Sequence, residues 1–97
     1  DTVSHLLIEN VKTGQQETID SDGVFISIGH NPNTAVLEGQ LKLTVLGTIE
    51  IDKYMETSVK GVFAAGEIAD PYFRQVVTSA GMGAAAAISA TKYLSTL

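Results

Sequence analysis

Two short runs govern what this chain can become. Gly23-Val24-Phe25-Ile26-Ser27-Ile28-Gly29 and Gly61-Val62-Phe63-Ala64-Ala65-Gly66 are almost free of polar residues, and each closes on glycine. Runs this short, with so little alternation, predict strands covered on both faces rather than strands with one wet side. In open α/β sheets ligands sit beyond the carboxyl ends of strands, so both glycine ends are candidate ligand edges. Many strands end in glycine, and the echo by itself is weak.

Smaller elements surround these runs. His5 to Asn10 and Gln16 to Asp20 read as a hairpin around Lys12-Thr13-Gly14, with Gly14 supplying a positive φ. Gly29-His30-Asn31-Pro32-Asn33-Thr34 predicts a sharp reversal. Ala35 to Gln40 has room for about one helical turn. Leu41 to Val45 and Thr48 to Asp52 form a second small hairpin around Gly47, with Ile49 and Ile51 dry and Glu50 and Asp52 wet. From Thr78 to Leu97 there is no proline, and Ala84 to Ala87 favour helix. Ser89, Lys92 and Thr96 are expected on its solvated face, with Ala84, Ala87, Ile88 and Leu94 opposite. Gly81 and Gly83 invite close approach by another backbone or a flat ligand.

Composition removes several function classes. Ninety-seven residues make at most one small domain, at a size where core burial is marginal. The net charge of −5 and six scattered basic residues argue against a nucleic-acid partner. No run approaches the ~20 apolar residues of a membrane span. The opening DTVSHLLIEN has acidic and polar groups where a signal peptide carries basic ones. The absence of cysteine excludes a disulfide scaffold, a thiolate metal site and a cysteine nucleophile within the chain, and fits a cytoplasmic protein. His5 and His30 stand alone, so no metal site is expected, and no catalytic residue is assigned.

The second run leads into the richest segment. Gly66-Glu67 sets a carboxylate just past the expected strand end, where a ribose or ribityl hydroxyl can donate to it. Asp70-Pro71 turns the chain, and Phe73-Arg74-Gln75-Val76-Val77-Thr78 enters the long helix. The first amides of a helix lack partners within it and carry partial positive charge, which suits an electron-rich ligand atom. Gly81-Met82-Gly83 is expected inside or at the start of a helix rather than between strand and helix, so it is no dinucleotide fingerprint.

Ala65-Gly66-Glu67, Asp70, Phe73-Arg74-Gln75, Gly81-Met82-Gly83 and an alanine-rich helix ending in Tyr93-Leu94 resemble, in order and spacing, the closing flavin-binding segment of the thioredoxin reductases. GHNPNT, Gly29 to Thr34, is similar to the turn by which that family's nicotinamide domain returns to its flavin domain. The resemblance spans essentially the whole chain. It implies an α/β architecture: the carboxy-terminal portion of a three-layer FAD/NAD(P)-binding fold, with small hairpins and strands before a long alanine-rich helix. Residues 1–29 would end the NADPH-binding domain and residues 30–97 the FAD-binding domain. The implied cofactor-binding residues are Gly66, Glu67, Arg74, Gln75 and Val76. An acid at the Glu67 position bonds the ribityl-pyrophosphate region of FAD, and Arg74-Gln75-Val76 border the isoalloxazine ring with main-chain amides. Glu67 stands where aspartate is more usual, Phe73 where tyrosine is frequent and Ala84 where a cysteine is often found. These departures leave the individual hydrogen bonds open.

The implied activity is transfer of electrons from NADPH through FAD to the disulfide of thioredoxin, in a homodimer. The amino-terminal G-x-G-x-x-G turn, the second glycine-rich turn for NADPH and the C-x-x-C pair are absent from this sequence. The chain alone is therefore expected to be inactive and to need the remainder of the reductase polypeptide, or self-association, for stable order. Two alternatives stand beside this: a ferredoxin–NADP⁺ reductase of thioredoxin-reductase type, and a standalone non-catalytic binding domain.

Overall fold

A computed structural model describes residues 2–97. The chain opens with the expected hairpin. Strand β1, His5–Glu9, pairs antiparallel with β2, Gln16–Asp20, in a register that sets His5 opposite Asp20 and Glu9 opposite Gln16. Asn10 builds the turn, its Oδ1 accepting the amides of Lys12 and Thr13 at 3.0 and 3.2 Å. Gly14 takes the expected positive φ of 71° and donates to the Asn10 carbonyl at 2.8 Å. Among the described residues the hairpin packs against no later helix or strand, and the molecule is drawn out to 63 × 25 × 25 Å. Its radius of gyration is 20.3 Å, against the ~13 Å of a compact domain of this length.

The first apolar run does not form its expected strand. Gly23 to Gly29 has no ladder partner among the described residues. Phe25, Ile26 and Ile28 are 99, 79 and 92% exposed. An apolar run specifies that both faces want cover but supplies none. Without neighbouring strands the run has no ladder to join. The second run falls short in the same way. From Gly61 to Gly66 only Phe63 makes a bridge among the described residues, to Glu56, while the Ala64 amide donates to the Met55 carbonyl at 3.0 Å. Glu67 therefore comes after a bridged loop, not a strand.

The core lies between these runs. The Gly47 hairpin forms as expected, with a Leu43–Ile49 bridge and a Thr44 amide bond to the Thr48 carbonyl at 2.8 Å. Its alternation is the one expected: Ile49 is buried and Ile51 half-buried, while Glu50 and Asp52 are exposed. Ala35–Leu37 is a single 3-10 turn. Ile49, Ala64 and Ala69 are the buried hydrophobic residues, with Leu37, Leu41, Leu43, Ile68 and Met82 packed around them. The Ile49 amide donates to the Ile68 carbonyl at 2.9 Å, which locks the hairpin to the loop carrying Glu67.

Helix α1, Val76–Leu94, crosses this core. The half-buried positions Thr78, Ser79, Met82, Ala85, Ala86, Ser89, Ala90 and Tyr93 recur every three or four residues and form one stripe, from which Met82 packs on the core. The expected face is the wrong one. Ile88 and Leu94 are 58 and 66% exposed, Ala84 and Ala87 are also exposed, and Ser89 is turned inward. The helix is small and apolar on more than one side, and this chain covers one side only. Gly81 and Gly83 have open space where a Cβ would stand. The close approach falls instead near the helix end, where the Tyr93 ring meets Phe63 edge-on at 6.2 Å and lies against Gly61.

Candidate functional site

The loop after Gly66 turns sharply. Gly66 has φ of 84°, the Ala69 amide donates to the Gly66 carbonyl at 2.9 Å, and the Asp70 amide donates to the Glu67 carbonyl at 3.3 Å. A positive φ there favours glycine, and the turn lifts the Glu67 side chain into solvent.

Asp70 organises the turn from Tyr72 to Arg74 and its junction with α1. It is 5% exposed, yet each carboxylate oxygen has two donors. Oδ1 accepts the amides of Tyr72 at 3.0 Å and Phe73 at 2.9 Å. Oδ2 accepts the Arg74 amide at 3.0 Å and the Thr78 hydroxyl at 3.1 Å. The Phe73 amide does most to hold the carboxyl below its usual range, with help from Tyr72, Arg74 and Thr78, while burial pulls the other way. Arg74 sits at φ of 52°, a left-handed conformation uncommon for a residue with a side chain. Gln75 is extended, its amide donating to Thr78 Oγ1 at 3.3 Å, and α1 begins at the next residue.

A cleft of about 290 Å³ opens between these segments. Glu67, Ile68 and Arg74 form one wall, and His30, Asn31, Pro32, Asn33 and Thr48 form the other. Arg74 Nη1 reaches the His30 carbonyl at 3.4 Å across it. Thr34 steadies the opposite wall, its hydroxyl donating to the Gly47 carbonyl at 2.7 Å. The GHNPNT turn thus meets, at one place, the neighbouring Ala-Gly-Glu and Phe-Arg-Gln motifs from much later in the sequence. Among the described residues the sole ion pair is the exposed Lys42–Glu50 contact, so Glu67 and Arg74 face the cleft without ionic partners. No cluster of metal-ligating side chains occurs among the described residues.

The five residues expected to hold cofactor are distributed unequally. Glu67 and Arg74 share the cleft, Gly66 shapes the turn beneath, and Gln75 and Val76 lie outside it at the helix entrance. Two main-chain donors expected to face a ligand do not. The Arg74 amide is taken by Asp70 and the Gln75 amide by Thr78. The open donors are the amides of Val76 and Val77, which have no acceptor among the described residues and belong to residues 89 and 76% exposed. The organising role of Asp70 is not evident from sequence, where it reads only as a turn residue. An aspartate just ahead of three residues that must donate amides before a helix is the signal that marks it, because its side chain is the nearest acceptor.

The profile of the family described as pyridine nucleotide-disulphide oxidoreductase matches residues 2–83. The chain is 46% identical to a thioredoxin reductase of Neurospora crassa over 96% of its own length and 28% of that protein's. It is 43% identical to NADPH-dependent thioredoxin reductase 3 of Arabidopsis thaliana over 95% of its length and 18% of the relative's. It superposes on the crystal structure of Lactococcus lactis thioredoxin reductase with a TM-score of 0.82 at 33% identity, covering 97% of this chain and 31% of that one. It thus spans less than a third of each of these relatives. The chain belongs to the pyridine nucleotide-disulphide oxidoreductase family, and its likeness within that family is to a segment of the thioredoxin reductases.

Proposed function

We propose that this chain is the FAD-binding, carboxy-terminal part of an NADPH-dependent thioredoxin reductase. The observation that carries the proposal is the meeting of Glu67, Arg74 and the His30–Asn33 turn on one cleft beside the open amides of α1. Those residues fit a flavin nucleotide. The exposed Glu67 carboxylate is an acceptor without an ionic partner, suited to ribityl or ribose hydroxyls. The Val76 and Val77 amides stand at the positive end of the helix dipole and suit the electron-rich edge of a flavin ring. Bound FAD supplies the electron-transfer chemistry, while these residues orient it and set the charge around it.

The cleft alone is too small for a whole dinucleotide, so the remaining contacts are assigned to other parts of the polypeptide. So are the NADPH site and the thiol pair, since this chain has no cysteine to exchange with thioredoxin. Among the described residues the β1–β2 hairpin packs against neither the 3-10 turn nor α1, which supports a division near residue 29, with the hairpin ending the NADPH-binding domain.

The test is to purify the full-length polypeptide and record its visible spectrum and its NADPH-dependent reduction of a thioredoxin disulfide. FAD bound one to one, with its affinity lowered by Glu67→Ala, is expected. A protein that takes up no FAD would refute the proposal. FAD uptake with reduction of ferredoxin but not of thioredoxin would move the chain to the ferredoxin–NADP⁺ reductase alternative.

A further inference from the structure

We infer that Asp70 is a positioning residue for the flavin: through Oδ2 it holds Arg74 in its left-handed backbone conformation and ties the Tyr72–Arg74 turn to Thr78 on α1. The inference rests on the functional reading above and adds to it a residue that need not touch the cofactor.

The two carboxylate oxygens divide the work. Oδ1 serves Tyr72 and Phe73, the outer part of the turn. Oδ2 serves Arg74 and Thr78, one on the wall of the cleft and the other in the first turn of the helix. Arg74 has no glycine freedom to relax into φ of 52°, so its backbone stays there only while surrounding bonds hold it. Its amide has one acceptor, Asp70 Oδ2. If that bond is lost, the residue can relax toward ordinary φ values and carry its guanidinium away from the His30 carbonyl.

Thr78 is the other end of the tie. Its hydroxyl oxygen accepts the Gln75 amide at 3.3 Å, and its single proton can go to Asp70 Oδ2 or to the Gln75 carbonyl. The turn, the extended Gln75 and the first turn of α1 are thereby one hydrogen-bonded unit. Its two outputs are the place of Arg74 and the direction of the Val76 and Val77 amides. A carboxylate this buried is kept ionised by four donors, in agreement with its lowered pKa.

Asparagine separates the arms. Its amide oxygen can replace Oδ1 for Tyr72 and Phe73, but its NH₂ faces the Arg74 amide as a second donor. Asp70→Asn therefore disrupts the Oδ2 arm selectively. Thr78→Val removes the hydroxyl at nearly constant volume, and Thr78→Ser restores it.

The experiment uses the full-length polypeptide stripped of FAD, with FAD titrated back and both flavin fluorescence and the visible spectrum recorded. Asp70→Asn is expected to weaken FAD binding about tenfold, as for a lost bond to a charged group, and to shift the visible band. Thr78→Val should move both readouts in the same direction, and Thr78→Ser should return them to wild type. If Asp70→Asn and Thr78→Val keep wild-type FAD affinity and spectrum while melting at lower temperature, Asp70 is a structural brace and the inference is overturned. If Asp70→Asn does not fold, the Thr78 pair decides by the same criterion. A wild-type polypeptide that takes up no FAD overturns the functional reading and this inference together. Uptake by wild type with unchanged variants overturns this inference alone.

Discussion

Gly61 sits where a side chain would meet both an unfavourable backbone conformation and a neighbouring ring. Its φ is 82°, and a Cβ built on it would stand 3.0 Å from both Cε1 and the hydroxyl oxygen of Tyr93 and 3.1 Å from Cζ. Gly61→Ala therefore carries two costs. The left-handed backbone costs an alanine about 1–2 kcal/mol. The clash with a ring already held edge-on by Phe63 at 6.2 Å adds about 1–3 kcal/mol, the usual range for overpacking. Gly39 provides the control, because its φ is 74° but nothing lies within 4 Å of its would-be Cβ. Gly39→Ala should show the backbone cost alone, about 1–2 kcal/mol. The difference between the two variants reports the Tyr93 contact.

The assay is denaturant unfolding of the full-length polypeptide, monitored by helix circular dichroism, in a cycle that includes Tyr93→Ala with and without Gly61→Ala. Coupling between the two sites should be about 1–3 kcal/mol, because removing the ring removes the clash. Equal costs for Gly61→Ala and Gly39→Ala, or a cycle that closes with no coupling, would show that the loop and the helix end are not packed as described. The consequence reaches the site, since the loop from Gly61 carries Gly66 and Glu67.

The same geometry sets further outcomes. Ile49→Ala should destabilise the polypeptide by roughly 2–4 kcal/mol, because Ile49 is the largest of the buried hydrophobic residues; a loss under about 0.5 kcal/mol by urea unfolding would place the core elsewhere. Arg74→Gly should be more stable than Arg74→Ala by roughly 1 kcal/mol, reversing the usual order, because only glycine relieves the φ of 52°; thermal melts of the pair decide it. Asp70 predicts a pH dependence of definite sign. Its native pKa lies below the ordinary 3.8, so its contribution is present above 3.8 and is lost as pH falls through the lower native value. Urea midpoints measured from neutral to acid pH should fall less steeply in Asp70→Asn. The 97-residue chain by itself, with Phe25 and Ile28 bare, should bind a hydrophobic dye and self-associate. A sharp cooperative melt of a dilute monomer would contradict this.

How much of the fold is legible in the sequence depends on where each signal resides. The hairpins, the 3-10 turn at Ala35 and the presence of α1 rest on local chemistry: Asn10 and Gly14 in one turn, Gly47 in another, an alanine-rich stretch without proline. Such features are specified by residues adjacent in sequence, and they appear as expected. Strand identity at Val24 and Val62 is not local. An apolar run records how many faces must be covered, and the ladder depends on neighbours that these residues do not encode. The same gap misleads the choice of helix face. Ala84, Ile88 and Leu94 are apolar, as are Ala85, Ala86 and Tyr93, and periodicity ranks the two stripes equally until something packs on one of them.

The site is legible in its residue types and partly hidden in its bonds. Glu67 and Arg74 do reach one cleft, because the turn at Gly66 and the turn at Asp70 together reverse the chain toward the GHNPNT segment. Sequence alone does not reveal which amides remain open once the chain has satisfied itself. A helix entrance offers several unpaired donors in principle, yet here an aspartate four residues ahead of Arg74 claims that residue's amide and a threonine claims the next. The donors left for a ligand lie one or two positions further into the helix, at Val76 and Val77. The positive end of α1 is therefore divided between an internal carboxylate that shapes the turn and an external face that is open to an electron-rich group. Because Asp70 anchors the turn that presents the external face, substitutions at Asp70 and Thr78 are expected to alter ligand affinity while touching no ligand, and substitutions at Val76 to alter it only through bulk at the open amides.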